Sequence, residues 1–417
     1  VHQISSPEYQ IFVQKTREEH IVPERRYSQA VPSTWNSRSS TASTASTSHP
    51  IMATPPLVTF RGHRAAVNAL LCEEAIRPHT LASGSDDGTC RLWDVRTARV
   101  SQCLNVRRAL GLPSTSELRG SREAEDAAVD ESAVNSIAFG GASSSFIYVA
   151  AGNKVLAFDL RREDLVLNSA DREALQDGEE EINCLARHPA RAGKFLSAPD
   201  DNGEIRVYDL ETHRLFKTLR GQHSNICSTA PFRPNAPWDL VSGGLDGLVL
   251  FWDFSRGRLK FQIDLNAGVD DLDAAAAGHQ MFNPPLVHAL AFAPNGKTLA
   301  AGLGDATVAV IDFASRRIVR RLKRHAAAVS QVHFPAFRAD DWLVTAGNDS
   351  KVCIWDYSGA MLRGDGDFDE LQDGAANPDL VKEFQVVDKP NAITSTTHQN
   401  LLLVSDTTNN IAAYPLM

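Results

Sequence analysis

Three sets of residues hold the ingredients of nucleophilic catalysis: a hydroxyl, an imidazole and a carboxylate. They are Ser83 with His63 and Asp87, Ser242 with His223 and Asp246, and Thr345 with His325 and Asp349. A hydroxyl activated by a histidine that an aspartate orients is the constellation of acyl transfer. Each set also brings a tryptophan at a fixed distance, Trp93, Trp252 and Trp355. From His to hydroxyl to Asp to Trp the steps are 20, 4 and 6 in the first and third sets, and 19, 4 and 6 in the second. Such an Asp, in a tight turn, can accept from the His, the His can engage the hydroxyl, and the hydroxyl can reach the indole N–H. Every buried polar group then has a partner. A core hydroxyl bonded to an indole is no nucleophile beside an oxyanion hole, so the sets are expected to be structural tetrads. No catalytic residue is assigned, and the protein is read as a non-enzyme.

Other sources of chemistry are thinner. In GDGDFDELQDG (Gly364 to Gly374), Asp365, Asp367 and Asp369 fit the first three ligand positions of a calcium loop. Glu370 stands where that loop needs glycine and Ala376 where it needs a bidentate Glu, so we read a solvated acidic loop and expect no metal. There is no phosphate-cradling glycine loop, Walker sequence or zinc spacing, and no cofactor is expected. The 42 basic and 51 acidic residues give a formal charge of −9. That leaves no surplus of cations for phosphates and argues against direct nucleic-acid binding. The six cysteines (Cys72, Cys90, Cys103, Cys184, Cys227 and Cys353) are scattered without a CxxC pair, and no apolar run suits a signal peptide or a membrane span. This reads as reduced thiols in an intracellular protein of the cytoplasm, the nucleus or both, with no membrane partner. The basic run SRRIVRRLKRH (Ser315 to His325) fits a nuclear-import signal; it also fits an outer strand whose charges oppose edge-to-edge pairing, the reading adopted here.

The tetrads need strands to hold them. From Leu57 onward one unit recurs: a short apolar strand, a turn, an apolar strand ending in small residues, a Gly/Asp/Asn turn, then a strand closed by a large side chain and Asp. The closing pairs are Trp93-Asp94, Phe158-Asp159, Tyr208-Asp209, Trp252-Asp253, Ile311-Asp312 and Trp355-Asp356, with Tyr414-Pro415 in a degenerate last unit. Tyr208 and Trp252 are 44 residues apart, as are Ile311 and Trp355, within the period of about 40–45 residues of a propeller blade. Wider gaps carry polar or small-residue inserts around 107–131, 266–284 and 358–380. The expected fold is all-β, a seven-bladed β-propeller over residues 57–417. Four units lack the full tetrad. The third has Ala198 and Asn202 and the fifth Ala301 beside Asp305, so these blades are expected to lean on apolar packing. Leu57 to Phe60 has no unit of its own and is read as the outer strand of the last blade, closing the ring. Residues 1–56, with the tract SRSSTASTASTSHP, are read as a disordered Ser/Thr-rich extension. Because Met52 stands just before the first strand, residues 1–51 are taken as an upstream extension or a gene-model artefact, a hypothesis that native N-terminal mass spectrometry tests.

Several stretches narrow the reading: EEEINCLARHP, DDNGEIRVYDLE, HSNICSTAPFRP and LVSGGLDGLVLFWD between Glu179 and Asp253, then NPPLVHALAF, GNDSKVCIWD and the terminal AAYPL. With the tetrads, they resemble the WD40-repeat family, and within it propellers proposed as substrate receptors of cullin-4 ubiquitin ligases. The likeness covers most of the propeller, is densest in the third and fourth blades, and leaves out residues 1–51. Such receptors dock on the adaptor, damaged-DNA-binding protein 1, through paired WDxR boxes at the ends of adjacent blades. This sequence has WDVR at Trp93 to Arg96 and FDLR at Phe158 to Arg161, the second with Phe158 in place of Trp. The resemblance thus implies Asp94, Arg96, Asp159 and Arg161 as partner-binding residues. The planar fork of arginine suits directional bonds to a partner's carbonyls or carboxylates. Both guanidinium groups are expected on one rim, exposed and free of internal salt bridges. The alternative is a WD40 scaffold subunit of an unrelated complex, for example a chromatin-associated or peptide-binding one.

Overall fold

Runs such as Phe146–Ala151 and Leu401–Asp406 are buried along their whole length, on both faces. Strands covered on both sides must lie between other sheets, and the chain is arranged accordingly. The computed structural model describes residues 53–113, 131–140, 145–175, 180–189, 193–267, 283–358 and 379–416. The tract 1–52 and the Asp-rich segment 364–374 lie outside the described residues.

The first strand, β1 (Val58–Arg61), is followed by blade 1: β2 (Val67–Leu71), β3 (Thr80–Ser85), β4 (Thr89–Asp94) and β5 (Arg99–Asn105). Blade 2 has β6 (Val134–Gly140), β7 (Phe146–Ala151) and β8 (Lys154–Asp159). The chain then departs through β9 (Val166–Leu167), which pairs in parallel with β5, before β10 (Arg172–Leu175) returns to β8. Blade 3 is β11 (Ala186–Arg187), β12 (Phe195–Pro199), β13 (Ile205–Asp209) and β14 (Arg214–Leu219). Blade 4 is β15 (Cys227–Thr229), β16 (Asp239–Gly244), β17 (Leu248–Asp253) and β18 (Arg258–Asp264). Blade 5 is β19 (Val287–Phe292), β20 (Thr298–Leu303), β21 (Thr307–Asp312) and β22 (Arg317–Lys323). Blade 6 is β23 (Val329–His333), β24 (Trp342–Gly347), β25 (Lys351–Asp356) and β26 (Leu380–Gln385). Blade 7 combines β27 (Pro390–Thr396), β28 (Leu401–Asp406) and β29 (Asn410–Pro415) with β1. The seven sheets, antiparallel throughout except for the β5–β9 pair, make a seven-bladed β-propeller.

Each apolar cluster lies between two neighbouring blades, so burial runs around the ring. Close approach there demands glycine: a Cβ on Gly84 or Gly243 would fall 2.2 or 2.4 Å from a methyl of Val134 or Val287 in the next blade. Polar side chains stitch the inner seams. Asn135, Ser228, Ser330 and Asn391, each the second residue of its blade's first strand, and Asn183, just ahead of β11, donate to the carbonyls of Ile182, Val287, Pro390, Val67 and Cys227 respectively in the following blade. The Asn391 bond joins blade 7 to blade 1. At the outer rim the same seam is closed by β1, with Val58 opposite Ala413 and Phe60 opposite Ile411. Phe60 packs edge-on against Trp93, centroids 5.8 Å apart.

The outer strands share a kink. Opposite the closing residue the register slips by one, leaving Ser101, Phe216, Lys260, Val319 and Val381 as bulge residues in blades 1, 3, 4, 5 and 6. A bulge twists an edge away from intermolecular pairing.

Candidate partner-binding site

In blade 1 the Trp93 indole donates to the Ser83 hydroxyl at 2.8 Å, and that hydroxyl lies 2.7 Å from His63 Nε2. His63 Nδ1 is 3.0 Å from Asp87. A carboxylate only accepts, so the proton sits on Nδ1 and Nε2 accepts from the hydroxyl. Blades 4 and 6 repeat the chain. Their indoles, of Trp252 and Trp355, donate at 2.8 and 2.9 Å to Ser242 and Thr345. His223 and His325 reach those hydroxyls at 2.8 and 2.9 Å and lie 3.0 Å from Asp246 and Asp349. Each aspartate also accepts the backbone N–H of the residue after its histidine, namely Arg64, Ser224 and Ala326. Burial alone would raise the Asp87 carboxyl, but bonds from His63, Thr89 and Arg64 outweigh it and hold it at about 2. The three hydroxyls are wholly buried, each with its donor and acceptor capacity committed. They tie strands together and face no substrate. The thiols offer no nucleophile either: burial lifts Cys72 and Cys353 to about 12.

Where the closing residue is not Trp, the hydroxyl is missing too. Val149, Ala198, Ala301 and Val404 occupy the register of Ser83. Losing donor and acceptor together leaves nothing unsatisfied. The expectation that such blades lean on apolar packing needs correction for the third. There the fully buried Asp200 accepts from the Arg206 guanidinium and from the Glu204 N–H, while Ser197 donates to the Ala230 carbonyl at 2.6 Å. A buried ion pair replaces the tetrad, and its carboxylate, Asp200, stands two residues before Asn202, outside the tetrad spacing.

The two boxes occupy equivalent places. Asp94 ends β4 and Asp159 ends β8, the third strands of adjacent blades, which puts Arg96 and Arg161 on one rim. The aspartates do a general job: Asp94 and Asp159 accept the N–H of Arg96 and Arg161 at 2.9 Å, as Asp209 and Asp253 accept those of Glu211 and Ser255. What distinguishes the boxes is the arginine. Blades 3 to 6 have Glu211, Ser255, Ala314 and Ser358 in its place.

The guanidinium groups are not free of internal salt bridges, which corrects the expectation. Arg96 Nε and Nη2 donate to Asp94 at 3.1 and 2.7 Å, and Arg161 holds Asp159 the same way through Nε, at 2.9 Å, and Nη2. The cause is local: once the carboxylate caps the N–H two residues on, the arginine side chain lies over it. The Arg96 side chain, then its N–H, hold the Asp94 carboxyl at about 2, and Arg161 lowers Asp159 likewise. More than half of each arginine side chain stays exposed, 55% and 69%. Each box is therefore a near-neutral pair whose arginine side chain remains largely exposed to solvent.

A further element joins the boxes. In blades 1, 3, 4 and 5 four residues link the third strand to the fourth, but in blade 2 residues 160–171 intervene. This segment starts at the second box and crosses to blade 1. Gln102 Nε2 donates to the carbonyls of Arg162 and Asp164 at 2.9 and 3.1 Å, and Cys103 N–H to that of Leu165 at 2.8 Å. Arg162 bonds Asp164 and Asp171. The sequence gives little sign of the clip, a two-residue strand paired with residues some sixty positions earlier. Among the described residues no helix is long and apolar enough to cross a membrane, and no three His, Cys, Asp or Glu side chains gather as a metal site.

Seven blades, shared tetrads and inter-blade burial define a seven-bladed β-propeller in which WD40 repeats are found. The family profile described as WD domain, G-beta repeat, matches residues 54–94, 213–253, 276–312 and 316–356. The chain is similar to the WD repeat-containing protein 53 homolog of Dictyostelium discoideum, 26% identical over 84% of this chain and 91% of that protein. It is also similar to mouse apoptotic protease-activating factor 1, 23% identical over 74% of this chain and 24% of that protein. Protein groucho of Drosophila melanogaster is 29% identical over 41% of this chain and 20% of its own length.

Proposed function

We propose that this WD40 scaffold is a substrate receptor that docks on the cullin-4 ubiquitin ligase adaptor, damaged-DNA-binding protein 1, through its two boxes. Other faces remain for a substrate, and the protein works in the cytoplasm, the nucleus or both. One observation carries the reading: adjacent blades end in the same Asp-capped arginine, and the next four blades do not. Affinity capture of the native protein with mass spectrometry should be dominated by cullin-4 and the adaptor. The folded double variant R96E/R161E should lose them, because charge reversal deletes donors and sets carboxylates against the partner's acceptors. As the second box departs from WDxR at Phe158, Arg96→Glu should weaken capture more than Arg161→Glu.

A second reading draws on the pairing of each guanidinium with its own aspartate. Strand ends neutralised in this way suit a WD40 subunit of an unrelated complex. A double variant that still captures the adaptor at wild-type levels, or a native capture dominated by another stable complex, puts that reading first.

A further inference from the structure

The boxes alone offer a partner little. Exposed, internally paired charges contribute little to affinity, whereas a stable interface needs about 800 Å² per partner with an apolar centre. Such a centre lies beside them. Among the described residues eight large apolar side chains are exposed, and three of these, Val100, Leu165 and Val166, stand on one edge of blade 1. Leu165, 75% exposed, is the most exposed of the eight.

The backbone that carries Leu165 and Val166 is held in place. The backbone around Leu165 is fastened by Gln102, Cys103 and the Arg162 ion pairs described above, and Val166 lies opposite Cys103 in the parallel pairing. The ridge starts close to both boxes along the chain. Arg161 precedes Leu165 by four residues, and Val100 follows Arg99, the cross-strand neighbour of Asp94. Apolar side chains on a fastened backbone, with directional donors nearby, have the anatomy of a binding hot spot, since little backbone ordering entropy is lost on association.

We propose that Val100, Leu165 and Val166 form the apolar anchor of the docking surface whose polar rim is Arg96 and Arg161. The occupant is the adaptor of the preceding reading, on which this inference rests. To match this surface it must offer an apolar groove bordered by carboxylates or backbone carbonyls. The anchor governs how long the complex lasts, and the arginines set its register.

The test titrates the purified full chain against purified damaged-DNA-binding protein 1, as wild type, R96E/R161E, L165E/V166E and V387E. Val387 is an equally apolar, 65% exposed control elsewhere on the propeller. V387E should bind like wild type, while L165E/V166E should lose at least tenfold in affinity, mainly through faster dissociation, at an unchanged melting temperature. Loss in R96E/R161E with wild-type binding by L165E/V166E overturns the anchor and leaves the receptor reading intact. Wild-type binding by R96E/R161E, or no binding by the wild type, overturns the receptor reading and the anchor with it. If L165E/V166E melts lower, Leu165→Met and Leu165→Ser decide: equal affinities overturn the anchor.

Discussion

Blades 1 and 2 finish with the same strand-end geometry and reach it by different routes. Blade 1 closes on Trp93, whose indole is tied through Ser83 and His63 to Asp87, and turns in four residues into its outer strand. Blade 2 closes on the fully buried Phe158 with Val149 at the register of Ser83, and takes twelve residues, 160–171, to find its outer strand. Yet Asp94 and Asp159 cap the following turn alike, and both arginines lie over their carboxylates. Rim geometry is therefore set by the capping aspartate and by a filled core beneath it. The tetrad is one way to fill that core; removing its polar members in concert is another.

The largest effect that separates the two blades should come from their closing residues. Trp93→Ala leaves a cavity and strips the Ser83 hydroxyl of its donor, so a loss of about 3–5 kcal/mol is expected. Phe158→Ala leaves only a cavity and should cost about 1 kcal/mol less. Equal losses in denaturant titrations would mean that the polar link adds nothing. Acid should expose the next difference. Asp87 sits at about 2 when folded against an ordinary 3.8. Its contribution is thus fully present above about pH 4 and lost as pH falls through about 2, a swing of about 2 kcal/mol. Asp246 and Asp349, also lowered, act in the same direction. In melts from pH 5 to pH 2, Asp87→Asn should start less stable and fall less steeply than wild type. A curve parallel to wild type removes the Asp87 contribution from the account.

Releasing the clip is a smaller perturbation. Gln102→Ala frees the carbonyls of Arg162 and Asp164, with an expected loss of about 1 kcal/mol. Faster amide exchange should be confined to the clip and to Cys103, and exchange spreading through blade 2 would make the clip part of that blade's core. Least affected should be the stability of the box variants. Arg96→Glu and Arg161→Glu alter exposed side chains, and each should leave the melting temperature within about 2 °C. A larger drop in either would make its Asp–Arg pair a structural strut.

The tetrads were legible because four residue types recur at nearly fixed steps, and a strand pairing fixes such steps. The ring followed from the closing pairs and from an orphan strand that could only belong to the last blade. The boxes could be located from Asp94, Arg96, Asp159 and Arg161, but their internal pairing depends on a turn that folds each arginine over its own carboxylate. Sequence spacing does not show that. The clip left even less trace, since Leu165 and Val166 pair across a large sequence separation with no periodicity to read. The inner seam has a sequence signature of its own: Asn135, Ser228, Ser330 and Asn391 each follow the residue that opens the first strand of a blade, while Asn183 stands just ahead of one.

The closing strand also has a consequence for synthesis. Phe60 pairs opposite Ile411, so 351 residues must leave the ribosome before its partner exists. At about 5–20 residues per second that is a wait of roughly 20 to 70 s. Blades 1 to 6 can stack in order as they emerge, because each cluster is completed by the next blade. An aromatic residue that ends almost fully buried meanwhile stays without its sheet, a natural target for a chaperone. A permuted chain that starts at Gly62, and so keeps His63, and carries Val58–Arg61 after its last strand would deliver all of blade 7 together, and should reach the native ring sooner in a translation extract than the natural order does.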